Sequence, residues 1–319
     1  MASLFDQAVQ FENLQRAWES TRDKGQTPGV DDWTTRRFAR NWEENLRRLM
    51  ADVRAHRYQC KRLRVRMIPK RASPSAPSAR IPRKRPLRRL GIPALRDRIL
   101  QRAVLQVIAP RLDRQFLSCS YGYRPKRSLF QAVAAILRYR DRGHGWLLDA
   151  DIDNCFDSLH HEVLWPLIEQ AVPDSGLLSL FRQWLDVGMV NRAERRGVSQ
   201  GMPVSPLLCN LYLHQLDYRL AVHGRWALVR YADDFVVLTR SREQAEQCRE
   251  VTAAHLAELR LSLQAEKTGV ASFHDGFDFL GVHFQGDSYR YVWQDKEIEV
   301  SGDIGPLWSM GRYFPHGYA

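Results

Sequence analysis

Trp226-Ala-Leu-Val-Arg-Tyr-Ala-Asp-Asp-Phe-Val-Val-Leu-Thr-Arg240 is the stretch on which the reading of the whole chain turns. Two apolar, β-type runs, Ala227 to Val229 and Phe235 to Leu238, flank Tyr231-Ala-Asp-Asp, so the pattern predicts two strands meeting at an acidic turn. Adjacent carboxylates at a hairpin apex are costly to hold together unless a cation neutralises them. A metal ion is implied for Asp233 and Asp234, with a plain acidic turn as the alternative. Upstream, WLLDADID (Trp146 to Asp153) is a second β-type run that delivers acids just before a predicted helix start. Two strands ending in acids can lie side by side, and hard carboxylate oxygens suit Mg²⁺, with Mn²⁺ as a substitute. Two such ions about 3.5–4 Å apart would serve an in-line phosphoryl transfer. In this reading Asp151 joins Asp233 and Asp234, while Asp149, Asp153 and Asp157 are helix caps or solvated charges.

The rest of the chain fits a basic, soluble partner of a polyanion. Its 319 residues allow two packed units or one large one, and 44% hydrophobic content is ordinary for a globular protein. Apolar runs such as Phe235 to Leu238 are far shorter than the roughly 20 residues of a membrane span, so no membrane partner is expected. MASLFDQAVQFENLQ has neither the basic start nor the apolar run of a secretory signal, which predicts a cytoplasmic location. Cys60, Cys119, Cys155, Cys209 and Cys248 form no CxxC pairs, which argues against a zinc ribbon or a disulfide framework. The formal charge of +12 favours nucleic acid as partner. Much of it lies between Arg54 and Arg98, where Asp97 is the single acid. Inside that block RLRVRMIP (Arg62 to Pro69) alternates apolar residues with arginines, and RRLGIPA is its returning strand, giving a basic hairpin around the loop ASPSAPSA (Ala72 to Ala79). Helical spacing marks Phe11 to Arg22, Arg36 to His56, Arg96 to Leu112, Ser128 to Arg140 and Arg242 to Leu261, and FDFLGVHF (Phe277 to Phe284) reads as a further strand. Such irregular alternation predicts an α+β fold.

These segments resemble, in order, the motifs of bacterial reverse transcriptases of the group II intron type. PGVDDWT (Pro28 to Thr34) is similar to the family's N-terminal extension motif. IPK (Ile68 to Lys70) with RRLGIPALRDRILQRAV (Arg88 to Val104) resembles the first fingers motif, and FLSCSYGYRPKRS (Phe116 to Ser128) the second. DADIDNCFDSLHH (Asp149 to His161) looks like the first catalytic motif and SQGMPVSPLLCNLYLHQLD (Ser199 to Asp217) like the fourth. RYADDFVVL follows, then LQAEKTGVASFHDGFDFLGVHF, similar to the lysine motif and the primer grip. The resemblance implies a right-hand polymerase fold with fingers and palm. It implies RNA-directed DNA synthesis from an RNA template, a DNA or RNA primer and dNTPs.

Carried over position by position, the resemblance makes Asp151 and Asp233 the principal ligands of two metal ions, with Asp234 beside them and the Ile152 carbonyl assisting. Phe156 falls at an aromatic steric gate that rejects a ribose 2′-hydroxyl. Gln200 and Gly201 match residues that approach the incoming nucleotide, and Lys70 and Arg88 those that grip its triphosphate, with Arg85 as an alternative to Arg88. Lys267 resembles the lysine beside the leaving pyrophosphate, Arg124 a residue bracing the template path, and Gly281 the primer grip.

The division implied is fingers with the N-terminal extension in 1–126, palm in 127–282 with an interleaved fingers segment at about 158–199, and a short β-rich appendage in 283–319. No helical thumb is visible after Gly281, so the thumb is expected to be missing or atypical. QGMPVSPLL and the tail YRYVWQDKEIEV look most like reverse transcriptases of type III CRISPR adaptation modules, which would add an integrase complex as partner and cDNA for spacers as product. Competing readings are an abortive-infection type defence enzyme, an RNA-synthesising polymerase, which Phe156 and YADD disfavour, and a non-catalytic RNA-binding protein on the same fold.

Overall fold

A computed structural model of the protein describes residues 2–23, 27–69, 87–293 and 296–301. In chain order the elements are helices α1 (Leu4–Ala8), α2 (Phe11–Arg22), α3 (Thr35–Ala39) and α4 (Trp42–Arg54), strands β1 (Arg64–Pro69) and β2 (Leu87–Ile92), and helices α5 (Leu95–Asp113) and α6 (Leu129–Asp141). Strand β3 (Trp146–Asp151) follows, then α7 (Cys155–Ser158), α8 (His161–Ala171), α9 (Ser175–Gly188) and α10 (Ser205–Asp217), which continues as a π-helical turn, Tyr218–His223. Strands β4 (Ala227–Tyr231) and β5 (Asp234–Thr239), helix α11 (Arg242–Glu258), and strands β6 (Gly269–Ser272), β7 (Phe277–Phe279), β8 (Val282–Gln285), β9 (Ser288–Trp293) and β10 (Lys296–Ser301) complete the order. No described helix is long and apolar enough to cross a membrane.

The chain forms two compact units. Of the described residues, the first takes 2–23, 27–69, 87–115 and 156–212 and is mostly helical. Its basic hairpin is antiparallel, with Met67 opposite Arg89 and Pro69 opposite Leu87, as the alternation of RLRVRMIP leads one to expect. The segment Arg36 to His56, expected as one helix, is two. Asn41 leaves the helical region at φ −136°, and its carbonyl accepts from Asn45 N–H to start α4 afresh. Asn competes with helical hydrogen bonding and favours such boundaries, and periodicity alone does not register it.

Of the described residues, the second unit takes 116–155, 213–293 and 296–301. Its four-stranded sheet has the order β4-β5-β3-β6, with all three pairings antiparallel. Helix α6 starts at a capping box made by Ser128 and Gln131, and its buried Ala132, Val133 and Ile136 share one core with Leu147, Val229, Val236 and Leu238 of the sheet. A second sheet, β10-β9-β8-β7, adds Phe277, Phe279, Phe284 and Tyr289 to that core. FDFLGVHF is here a correction to the sequence reading. It is a hairpin, with Phe279 opposite Val282 and Leu280-Gly281 as its two-residue turn. Both turn residues have positive φ, 54° and 76°, the mirror-image geometry that suits the twist of paired strands. An apolar leucine in the turn hides this from a hydrophobicity pattern.

Candidate active site

Strand register brings the acids together. Alternation along a strand places Leu147, Asp149 and Asp151 on one face of β3. Asp151 is directly opposite Asp234 of β5, and Asp149 is opposite Val236. Like charges across a strand pair repel each other, so this arrangement costs stability that sheet formation alone does not repay. Tyr231 pairs with Asp234, which leaves Ala232 and Asp233 as a two-residue turn with Ala232 at φ +61°. Asp151 and Asp234, far apart in sequence, therefore sit as direct neighbours beside the turn that carries Asp233.

Their electrostatics record the crowding. Burial, then the charge of Asp151, pushes Asp149 up to about 7. Asp234 is also pushed up to about 7, first by desolvation of its carboxylate and then by the charges of Asp233 and Asp151, although the residue keeps solvent exposure that screens these effects. Lys267 brings a cation to this cluster: its Nζ is 2.5 Å from Asp151 Oδ2. Burial lowers the pKa of Lys267, but the hydrogen bond and charge of Asp151, with Asp234 and Asp233, outweigh it and hold the ammonium above its usual value.

Local backbone explains how Lys267 gets there. Beyond β3, Ile152 bridges Leu263, with Asp153 N–H donating to Ser262 O at 2.9 Å and Gln264 N–H to Asp151 O at 2.8 Å. The next turn closes with Lys267 N–H on Gln264 O at 3.1 Å. In an antiparallel bridge of this kind the central residue's own carbonyl points to the other side, so that of Ile152 faces the β5 side. The donor set, carboxylates and one carbonyl, is chemically that of a Mg²⁺ or Mn²⁺ site. Among the described residues no three His, Cys, Asp or Glu side chains are gathered closely enough to chelate an ion as they stand. Lys267 already occupies one oxygen of Asp151, and the raised pKa values of Asp149 and Asp234 express an unmet demand for positive charge. On that chemistry the residues fit a divalent cation.

The other expected residues fall as follows. Phe156 is buried at 7% exposure in the first unit, its carbonyl accepting from Val198 N–H at 2.7 Å. Gln200 O accepts from Gly91 N–H at 2.7 Å, and a Cβ on Gly201 would come within 2.6 Å of Gly91 O. Gly201 is thus required by this chain's own close packing, at φ +102°. Arg88 is exposed on β2, opposite Ile68. Arg124 is buried, donating through Nη1 to Leu117 O and Ser120 O and through Nη2 to Phe116 O, which braces its own loop. Gly281 is in the β7–β8 turn, and Lys70 lies outside the described residues. Sequence reasoning missed Arg230 and Asp217, a fully buried pair in the second unit. The signal available was an arginine at an inward position of a strand.

Comparison with known proteins gives these surroundings a family. Residues 68–284 match the family described as reverse transcriptase (RNA-dependent DNA polymerase). Protein YkfC of Escherichia coli K12 is 33% identical over 247 residues, 64% of this chain and 65% of YkfC. The group II intron-encoded protein LtrA of Lactococcus lactis is 30% identical over 195 residues, 60% of this chain and 30% of LtrA. The chain thus spans just under two thirds of the first relative's length and under a third of the second's. Apo telomerase from Candida tropicalis shares the fold at 13% identity, with a TM-score of 0.52 over 71% of this chain and 47% of that chain. The chain belongs to the reverse transcriptase (RNA-dependent DNA polymerase) family and is of the group II intron-like kind.

Proposed function

We propose that the protein is an RNA-directed DNA polymerase that extends a DNA or RNA primer with dNTPs, with its chemistry centred on Asp151, Asp233 and Asp234. The observation that carries the reading is the register of β3 against β5, which sets Asp151 opposite Asp234 beside the Asp233 turn. Asp151, Asp233, Asp234 and the Ile152 carbonyl would hold two Mg²⁺ ions, or Mn²⁺ in their place. When bound, such ions acidify the attacking 3′-hydroxyl and neutralise the departing pyrophosphate.

The protein's own groups supply the rest of the reaction. Lys267, protonated beside Asp151, is placed to donate a proton to the leaving pyrophosphate. Arg88, with Lys70, takes the triphosphate charge as a fixed cation. Phe156 sits under the sugar and excludes a 2′-hydroxyl, Gln200 and Gly201 line the nucleotide's approach, and Arg124 and Gly281 support the template and primer paths. In this assignment 1–126 are fingers with the N-terminal extension, 127–282 palm with fingers interleaved at about 158–199, and 283–319 an appendage. A narrower form of the proposal, cDNA synthesis for CRISPR spacers, has the segment Tyr289 to Val300 engage an integrase. Its support is the tail resemblance and the position of β10 as the outermost of its sheet's strands among the described residues, an edge that a partner can extend. Loss of integrase co-purification on deleting that segment tests it; unchanged co-purification rejects it.

Primer extension on an RNA template tests the main reading. Extension is expected with dNTPs and divalent metal, and Asp233→Ala is expected to lower it about 10²- to 10³-fold, the scale of losing a central electrostatic group. Wild-type extension by that variant rejects the site, and a preference for NTPs rejects the role of Phe156.

A further inference from the structure

Arg230 directly precedes the Tyr231-Ala-Asp-Asp turn, yet its side chain is on the other side of the sheet from the carboxylates. It pairs with Phe235, which pairs with Ala150, whereas the acids occupy the alternate positions. It has no exposed surface at all. A guanidinium stripped of water is tolerated only when protein acceptors replace that water. Nε and Nη2 donate to the two carboxylate oxygens of Asp217, each at 2.6 Å, and Nη2 donates also to Ser120 Oγ at 2.9 Å. Asp217, at the end of α10, is equally buried.

Charge neutralisation is complete with Asp217, but the side chain does one thing more. Nη1 donates to the carbonyl oxygen of Ala232 at 2.7 Å. Ala232 is the left-handed residue of the acidic turn, a conformation that strains a residue with a Cβ and persists only when its surroundings hold it. The same surroundings grip the turn from its flank. Arg230 N–H donates to Cys119 O, and Tyr121 N–H donates to Arg230 O, both at 2.8 Å. Gly122 lies so close that a Cβ there would be 2.3 Å from Ala232 N.

We infer that Arg230, braced by Asp217, is a positioning residue that sets Asp233 and Asp234 in place through the Ala232 carbonyl. The inference rests on the polymerase reading of those carboxylates. Its consequence is that the turn's affinity for divalent cation depends on a side chain that never reaches the ion.

The test uses the full chain as wild type, Arg230→Lys, Arg230→Gln and the double variant Arg230→Gln/Asp217→Asn. Mn²⁺ affinity without nucleic acid, thermal unfolding, and kcat and KM for dNTP are read on each. Arg230→Gln strands a buried carboxylate and is expected to unfold early. The double variant removes both charges and is expected to recover the unfolding temperature, while Mn²⁺ affinity and kcat stay on the order of 10- to 100-fold low, as for other groups that orient metal ligands, with KM unchanged. Arg230→Lys keeps the charge for Asp217 and loses the fork, so it should show the same split if the double variant fails to fold. Wild-type Mn²⁺ affinity and kcat in a folded double or lysine variant overturn the inference. Absence of primer extension by the wild type would sink the polymerase reading instead, and the Mn²⁺ affinities would still decide for or against the clamp.

Discussion

Asp217 and Asp97, one in each unit, are both without exposed surface, but their partners differ in kind. Asp217 receives two guanidinium hydrogen bonds from Arg230. Asp97 receives one from the Tyr58 hydroxyl at 2.8 Å and one from Lys61 N–H at 3.0 Å, and Trp184 Nε1 in turn donates to Tyr58 Oη at 3.3 Å. The first arrangement buries a full ion pair beside the acidic turn. The second stitches helices together with neutral donors. A buried ion pair adds little net stability over an apolar replacement, so its use beside the turn is better explained by geometry than by energy. A neutral network has no such excuse and should be judged by stability alone.

The largest expected effect separates the two. Asp217→Ala leaves Arg230 buried without its counter-charge and should cost about 3–5 kcal/mol. Asp97→Ala leaves a hydroxyl and an N–H short of an acceptor and should cost about 1–3 kcal/mol. Urea unfolding of the two variants measures both, and the opposite ranking would mean that Arg230 is solvated after all.

A second, smaller effect is pH dependence. Burial raises the pKa of Asp97 above its usual value, although the Tyr58 and Lys61 hydrogen bonds and the charge of Arg96 oppose this. A carboxyl whose folded pKa is raised favours folding when protonated. Its contribution is complete below the ordinary carboxylate pKa and is lost as pH rises through the folded value. Asp149 and Asp234, both pushed up to about 7, add to the same downward slope, so the comparison must be between wild type and Asp97→Asn. As pH rises from about 4, the ordinary carboxylate value, wild type should lose more stability than Asp97→Asn in metal-free buffer. Identical losses would show that Asp97 folds in its ionised form.

The same contrast explains what could be read from residues alone. Strand β3, the β4–β5 hairpin, the basic hairpin and the helices α2, α5, α6 and α11 were legible because each is announced by a local pattern of apolar residues, and α6 and α11 also by their capping serines, Ser128 and Ser241. The convergence of Asp151 with the Asp233 turn was legible because adjacent acids at strand ends make little sense apart. What remained hidden depends on separation or on exceptions to turn chemistry. Arg230 and Asp217 are thirteen residues apart on different elements, and nothing near either marks it as buried. The break at Asn41 and the turn at Leu280-Gly281 are decided by backbone dihedrals that apolar patterning does not encode.

The smallest effect concerns two tight turns of the second unit. Leu280-Gly281 places a glycine at one of its two positive-φ positions, whereas Ala232-Asp233 has Ala232 at positive φ and no glycine. Gly281→Ala adds a Cβ where φ is 76° and should cost about 1 kcal/mol. Ala232→Gly removes a Cβ where φ is 61° and should gain at most about 1 kcal/mol, because the looser unfolded chain takes back part of the relief. Opposite signs in urea unfolding would place stored strain at the acidic turn and not at the other. If Ala232→Gly instead destabilises as much as Gly281→Ala, Ala232 is held without strain, and the hydrogen bond from Arg230 must then be explained by the stability of the sheet rather than by the placement of Asp233.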